Sequence, residues 1–461
     1  MKITEIERIL EKQRKFFITQ GTKSISRRKQ VLKALRKEIT TYELEINTAL
    51  HKDFKKSAFE TYLSETGIVL GELDHTISKL HSWSKPQRVR ASLLNFPSTD
   101  HIYSEPYGSV LIIAPWNYPF HLAMAPLVAA VAAGNTVIIK PSELTPHTSA
   151  LILKIVDKVF TEEYVQIIEG GVKTSQDLLS LRWDYIFFTG SVNVGKIVAK
   201  AAAENLTPVT LELGGKNPCI IDHSANLKLA AKRIVWGKFL NAGQTCIAPD
   251  YILIKEDIKE RFINNLKIEI EKAYSQNPEE SPDYPRIISA QNFDRLANML
   301  QDVKIVFGGD LVKDDLYISP TIIDSPSLDS EVMKDEIFGP ILPIIPYTTD
   351  AEIFEIVNHY DKPLSLYIFS SRKKFTGEII ESLSFGGGAI NDTLVHFANQ
   401  RLPFGGVGNS GIGAYHGKMS FDTFSHKKAM TKRANWLDIP FRYAPYKGKM
   451  NLIKKVLKYL D

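Results

Sequence analysis

Cysteine is nearly absent. The chain has two in 461 residues, Cys219 and Cys246. So few thiols exclude a disulfide framework and suit a reducing cytoplasm. They also leave two thiols free for chemistry. No run of about 18 residues is apolar without polar interruption, so no membrane-spanning helix is expected. The start, Met1 to Lys15, is charged and lacks the apolar core of a signal peptide. A dominant charge is lacking too. The chain has 57 Lys+Arg against 52 Asp+Glu, a net +5 spread along its length. That balance gives no reason to expect nucleic acid as a partner. No His, Cys, Asp and Glu residues stand at metal-ligand spacing. His51, His121, His147, His396 and His416 are scattered, and none pairs with Cys246 at a recognisable interval. A zinc enzyme or a Cys/His protease is not indicated.

What is present is ordinary globular composition, 44% hydrophobic and 24% charged. Residues 1–85 carry apolar positions at helical spacing. Residues 84–104 break that pattern with Pro86, Pro97 and alternating Val89, Ala91 and Leu93, which suggests an extended excursion. From Ser109 a rhythm begins. Short apolar runs near Val110, Val137, Val165, Ile186 and Val209 each precede a turn and a helical stretch. Such runs, buried on both faces, suit parallel strands joined by right-handed crossovers in a doubly wound α/β domain. A second series follows Gly214, with candidate strands at Ile220–Asp222, Tyr251–Lys255, Val303–Phe307, Ile341–Tyr347, Leu366–Ser370 and Gly388–Asn391. A β-like run ending near Phe424 follows a glycine cluster.

Two motifs mislead. Gly406-Val-Gly408-Asn-Ser-Gly411 fits GxGxxG, but Pro403 precedes it and no βαβ unit surrounds it. A glycine loop near a site or an interface is the better account. Gly190 to Lys196 fits a P-loop until its eighth position, which is Ile197 and lacks the hydroxyl that binds Mg²⁺. A Gly/Ser turn opening a helix still offers free N–H groups to phosphate.

Several residues could do chemistry. Cys246, in Asn241-Ala-Gly-Gln-Thr-Cys, has the small polar neighbours a reactive thiolate needs. A buried structural cysteine is the plainer alternative, and it is the reading for Cys219 inside a strand run. Glu212 lies between two leucines, ahead of Gly214 and Gly215, where burial would raise it toward general-base range. Read alone, it is more readily a capping or salt-bridged glutamate. Asn117, between Pro115 and Pro119, could donate to an oxyanion or simply form a turn. Lys140 and Glu143 follow the second strand, where open α/β sheets bind ligands. Ser142 there could instead cap a helix.

Taken together and in order, seven segments resemble the aldehyde dehydrogenase superfamily. They are Pro115-Trp-Asn, Lys140-Pro-Ser-Glu, Phe188-Thr-Gly-Ser, Leu211-Glu-Leu-Gly-Gly-Lys, Gly243-Gln-Thr-Cys, Glu336-Ile-Phe-Gly-Pro and Pro403-Phe-Gly-Gly-Val-Gly-Asn-Ser-Gly. The short N-terminus, the segment before Cys246 and the tail Phe441-Arg-Tyr-Ala-Pro-Tyr are most similar to the class 3 branch, which acts on fatty or aromatic aldehydes.

The resemblance implies an α/β fold with three parts. Residues 1–83 and 105–211 would form a Rossmann-like NAD(P)-binding domain, and 212–392 an α/β catalytic domain. Residues 84–104 and 393–430 would form a bridging β element that makes a homodimer. It implies Cys246 as nucleophile, Glu212 as general base and Asn117 as oxyanion donor. Lys140, Glu143, Thr189, Gly190, Ser191, Gly195, Gly214, Glu336 and Phe338 would contact the cofactor. NAD is favoured over NADP, because a carboxylate at Glu143 suits free ribose hydroxyls. Positions beside these motifs suggest Tyr62, Trp116, Tyr118, Thr245 and His396 as pocket walls.

The implied reaction is oxidation of a medium- or long-chain, aromatic or apocarotenoid aldehyde to its acid. Thiolate attack gives a thiohemiacetal, hydride leaves to NAD(P)⁺, and water hydrolyses the thioester. Two rivals remain: a thiol esterase without a redox cofactor, and a non-enzymatic membrane-associated binding protein that keeps the fold. The tail, 431–461, ends in a basic amphipathic stretch from Lys449 to Leu460. It would pack on its own subunit or close the substrate funnel, or else lie on an anionic membrane.

Overall fold

Short runs of β-branched and aromatic residues become strands buried on both faces, and these strands form two sheets. The computed structural model describes residues 2–92, 95–438 and 440–458. In the first sheet the order is Gly411–Ile412, Val209–Glu212, Tyr185–Thr189, Ser109–Ile113, Thr136–Lys140 and Val165–Ile167. All pairings are parallel except that of Gly411–Ile412 at the edge. The strand order reverses between Ser109–Ile113 and Tyr185–Thr189. A crevice opens at such a reversal, outside the carboxyl ends of the strands. Asn117 and the Gly190 turn follow those two ends directly.

The second sheet runs Ile305–Phe307, Thr321–Asp324, Ile341–Tyr347, Tyr251–Lys255, Pro218–Ile221, Ser365–Phe369 and Gly387–Ile390. It is parallel except at the Ile305–Phe307 edge. The strand Thr321–Asp324 has no counterpart in the sequence reading, because Pro320 and Asp324 bracket only three apolar-compatible positions. Helices occupy most of residues 3–83.

The excursion after residue 84 pairs as expected of an extended segment. Gln87–Val89 and Ser98–Pro106 join Ser425–Arg433 in a three-stranded antiparallel sheet. Two details depart from the expectation. The β-like run ending near Phe424 is the short helix Lys418–Thr423, and the strand begins only at Ser425. The segment 393–430 also does not belong to one element, since Gly411–Ile412 closes the edge of the first sheet. Leu93, one of the alternating residues, lies outside the described residues, as do Tyr459 and Leu460 of the tail.

The tail helix Met450–Lys458 exposes much of its described surface. Met450, Leu452 and Leu457 are all about half exposed or more. Among the described residues no helix is long and apolar enough to cross a membrane.

Candidate active site

Cys246 follows a segment that the backbone reaches only under constraint. Asn241, Ala242 and Gly243 are consecutive left-handed residues, with φ of 55°, 52° and 74°. Non-glycine residues seldom adopt this region, and such strain concentrates at functional sites. Gly243 is obligatory for a second reason. A Cβ there would fall 2.2 Å from the Gly339 carbonyl oxygen.

The loop is held by buried amides. Asn241 Nδ2 donates to the carbonyls of Asn117 (2.9 Å) and Gln244 (3.1 Å). Gln244 Nε2 donates to the carbonyls of Asn241 and Arg286, and its Oε1 accepts from Ile288 N. Asn217 Nδ2 donates to the carbonyls of Cys246 (2.8 Å) and Ala248 (3.1 Å). Asn241 Oδ1 alone among these amide atoms is buried without a partner, and the remaining bonds rigidify the loop.

Asn117 is buried, and its Nδ2 donates to the Gln244 carbonyl at 3.1 Å. An amide has two N–H groups, so one remains for a ligand. The backbone N–H groups of Cys246 and Ile247 point at the Cys246 sulfur and favour its thiolate. Burial outweighs them and pushes the thiol up, with help from the Glu336 and Glu212 charges. Cys219, by contrast, is fully buried in the strand Pro218–Ile221.

Glu212 ends the strand Val209–Glu212. It is buried, and no protein group bonds either carboxylate oxygen. Burial therefore raises it well above the usual carboxylate range. The glycine loop at 406–413 lies beside it: Gly411 pairs with Glu212, and Leu213 N donates to the Ser410 carbonyl. Thus the misleading GxGxxG run packs against the strand that carries the carboxylate.

Around the crevice the residues fit a dinucleotide. Ser191 caps the helix Val192–Ala203, its hydroxyl accepting from Val194 N. Gly195 lets that helix pack on Leu213, where a Cβ would meet the side chain at 2.7 Å. Lys140 is buried at its strand end and contacts the half-exposed Glu143. Ser142 does not cap the next helix. Asp53 does so from across the chain, accepting from His147 N and Thr148 N. Gly214 lies against Glu336, and a Cβ there would sit 2.0 Å from Glu336 Oε2. Glu336 Oε1 is buried without a partner, and burial lifts the carboxyl to about 8. Phe338 is held at φ 50° with its ring edge-on to Trp116, centroids 5.2 Å apart.

A cavity of about 500 Å³ reaches Cys246, Glu212 and Thr189. Tyr62, Tyr118 and Thr245 line it as expected, and Tyr118 OH lies 2.5 Å from Thr245 Oγ1. Trp116 and His396 do not line it, which corrects that expectation. Trp116 packs on Phe338. The His396 ring turns to Ser365, with Nε2 3.4 Å from its Oγ, so Val395 and Phe397 form the wall instead.

Sequence reasoning missed a further part of that wall, the π-turn Tyr62–Thr66. Gly67 packs against the Tyr62 carbonyl that closes it. It also missed Glu72, His121 and His416 in the wall. One signal was available, since His121 is the lone ionisable residue in the wholly buried helix Pro119–Ala133.

The strained loop that carries Cys246 and the unpartnered carboxylate of Glu212 meet at one cavity, which Thr189 also lines. A family model described as the aldehyde dehydrogenase family matches residues 2–430. The chain belongs to that family. Among aldehyde dehydrogenases it is 50% identical to the 4,4'-diaponeurosporen-aldehyde dehydrogenase of Staphylococcus aureus, over 96% of this chain and 97% of the relative. It is 43% identical to aldehyde dehydrogenase family 3 member A2 of Macaca fascicularis, over 92% of this chain and 87% of the other. The solved substrate-bound state of Staphylococcus aureus AldH superimposes with a TM-score of 0.97 at 49% identity, covering 98% of this chain and 99% of that one. The glyceraldehyde-3-phosphate dehydrogenase GapN of Methanocaldococcus jannaschii, solved with NADP, gives a TM-score of 0.85 at 26% identity, covering 94% of this chain and 95% of that one.

Proposed function

We propose that this aldehyde dehydrogenase uses NAD(P)⁺, with NAD preferred, to oxidise a medium- or long-chain, aromatic or apocarotenoid aldehyde to the free acid. The single observation that carries this reading is the pairing of a constrained cysteine with the buried, unpartnered carboxylate of Glu212 at one largely apolar cavity. The staphylococcal relative's name specifies a carotenoid aldehyde, and the cavity's apolar lining suits that class.

Cys246 attacks the carbonyl carbon. Asn117 Nδ2 holds the oxygen as charge develops, and donors fixed before the reaction starts need no reorganisation. Lys140, Glu143, Ser191, Gly214 and Glu336 would hold NAD(P)⁺, which when bound supplies the hydride acceptor. The resulting thioester requires water. Glu212, with both oxygens free of protein partners, accepts the proton of that water, and its raised affinity for protons suits a general base. A thiol esterase would need the same cysteine but no crevice built around Gly214 and Glu336.

We also read the chain as a homodimer. The nine-residue strand Ser425–Arg433 pairs on one side only, and an open edge of that length invites a second copy. The exposed, lysine-bearing tail helix suits peripheral contact with an anionic membrane. Such contact would show as co-sedimentation of the full chain with anionic vesicles.

The test of function is initial rates of NAD(P)H formation with acetaldehyde, hexanal, decanal, benzaldehyde and a long polyene aldehyde, each with NAD⁺ and with NADP⁺. Turnover rising with chain length and abolished in Cys246→Ala supports the reading. Full turnover in Cys246→Ala overturns it.

A further inference from the structure

The cavity is apolar for most of its wall, with Ile68, Leu122, Trp236, Leu240 and Phe404 among its residues. One patch differs. Glu72, His121 and His416 come from three separate elements and meet there. His121 and His416 are both buried, yet His121 Nε2 and both ring nitrogens of His416 have no protein partner. Buried polar atoms are nearly always paired, so three orphans in one cavity wall call for an explanation.

The backbone adds a second observation. His416 sits at φ 109°, which is costly for a side chain with a Cβ, and its N–H is held by Ser420 Oγ at 2.7 Å. Gly417 follows at φ 52°, where a Cβ would fall 2.2 Å from the Gln400 carbonyl oxygen. Its N–H donates to the Glu72 carboxyl. The turn thus holds the His416 ring against the cavity at a conformational cost.

We propose that Glu72, His121 and His416 form a second recognition point in the substrate cavity, taking a neutral oxygen function of the substrate, a hydroxyl or a carbonyl, remote from the aldehyde. The inference rests on the reading of this cavity as the aldehyde pocket. Its chemistry follows from the groups. Burial lowers His121 to about 3 and His416 to about 4, so both rings are uncharged at neutral pH. A neutral imidazole carries one N–H donor and one acceptor nitrogen, so the pair can donate to a carbonyl and can also accept from a hydroxyl. It offers no cation to a carboxylate, and burial that lifts the neighbouring Glu72 carboxyl to about 7 disfavours a negative charge in this patch. The ligand class is therefore an oxygenated but uncharged chain. A plain alkyl chain leaves the nitrogens unpaired, and a site built for a hydrogen bond discriminates strongly against the analogue that lacks it.

The experiment compares kcat/KM for decanal, for its ω-hydroxy and ω-carboxy counterparts, and for hydroxydecanals with the hydroxyl moved along the chain. The readout is the ratio of each to decanal, so a general change in activity cancels. In the unaltered enzyme one hydroxyl position gives a ratio about tenfold above its neighbours, and the carboxy compound falls below decanal. His416→Phe and His121→Phe each flatten the peak about tenfold, while His416→Asn keeps part of it. A profile without a peak in the unaltered enzyme overturns the proposal without needing any variant to fold. So does a peak that survives both phenylalanine substitutions. If decanal and every hydroxydecanal go unoxidised, the cavity reading itself fails, and the proposal falls with it.

Discussion

Lys56 Nζ lies 2.6 Å from Glu65 Oε1, with both side chains wholly buried beneath the Asn117 turn. The other Glu65 oxygen accepts from Phe120 N (2.9 Å) and His121 N (3.1 Å) at the start of the helix Pro119–Ala133. Lys56 also faces the Asn117 carbonyl at 3.4 Å and the Tyr118 ring at 4.3 Å. The pair therefore anchors the segment that carries Asn117, the proposed oxyanion donor. Removing one partner strands the other as a buried charge. Lys56→Met is expected to lose about 3–5 kcal/mol of stability, read as a lower urea midpoint.

Glu212→Gln separates the two halves of the reaction. The first half needs Cys246 and Asn117 alone, and the second needs a base. The variant is expected to form NAD(P)H in a single rapid burst near one equivalent per site. Steady-state turnover then falls about 10²-fold or more. Stopped-flow absorbance reads both phases. A slow first turnover with no burst would remove Glu212 from the hydrolytic step.

Stability should fall between about pH 6.5 and 8. Burial raises Glu60 and Glu72 to about 7 and Glu336 to about 8, from 4.5. Between those values the folded chain holds protons the unfolded chain has lost, so rising pH costs stability. Below 6.5 an opposing contribution acts. His121, His396 and His416 are lowered to about 3, 4 and 4, so the unfolded state there binds more protons. The two sets offset each other in mild acid, and only the carboxyls act above it. Thermal midpoints measured across pH without cofactor should show a plateau and then a decline, and Glu72→Gln should make the decline shallower.

Alkylation should distinguish the two cysteines. Cys246 is half-buried at the cavity and Cys219 is fully buried. Iodoacetamide is expected to label Cys246 alone, slowly at neutral pH and faster in alkali, because burial holds the thiol protonated. Peptide mass spectrometry assigns the site.

The sequence made the parallel strands legible because each is a short apolar run bounded by turns. It made the family legible because the segments carrying Cys246, Glu212 and Asn117 stand in a distinctive order. What stayed hidden depends on contacts between distant segments. His396 adjoins the motifs in sequence, yet Ser365 draws its ring away from the cavity. Glu72 and His416 are 344 positions apart and meet only through the Gly417 turn. Ser142 looked like a cap because Asp53, which does the capping, is remote in sequence. Local pattern cannot report a partner that folding brings in from elsewhere.

The two-residue strand Gly411–Ile412 limits how this enzyme can be re-engineered. It stitches the segment bearing Phe404, Tyr415 and His416 to the strand that ends in Glu212. This part of the cavity wall and Glu212, the proposed hydrolytic base, are thus one mechanical module. A graft that imports a relative's cavity loop but cuts between Phe404 and Tyr415 would inherit a new wall on a loosened base. Cuts placed outside 393–433, with Leu211 and Leu213 carried along, would move wall and base together.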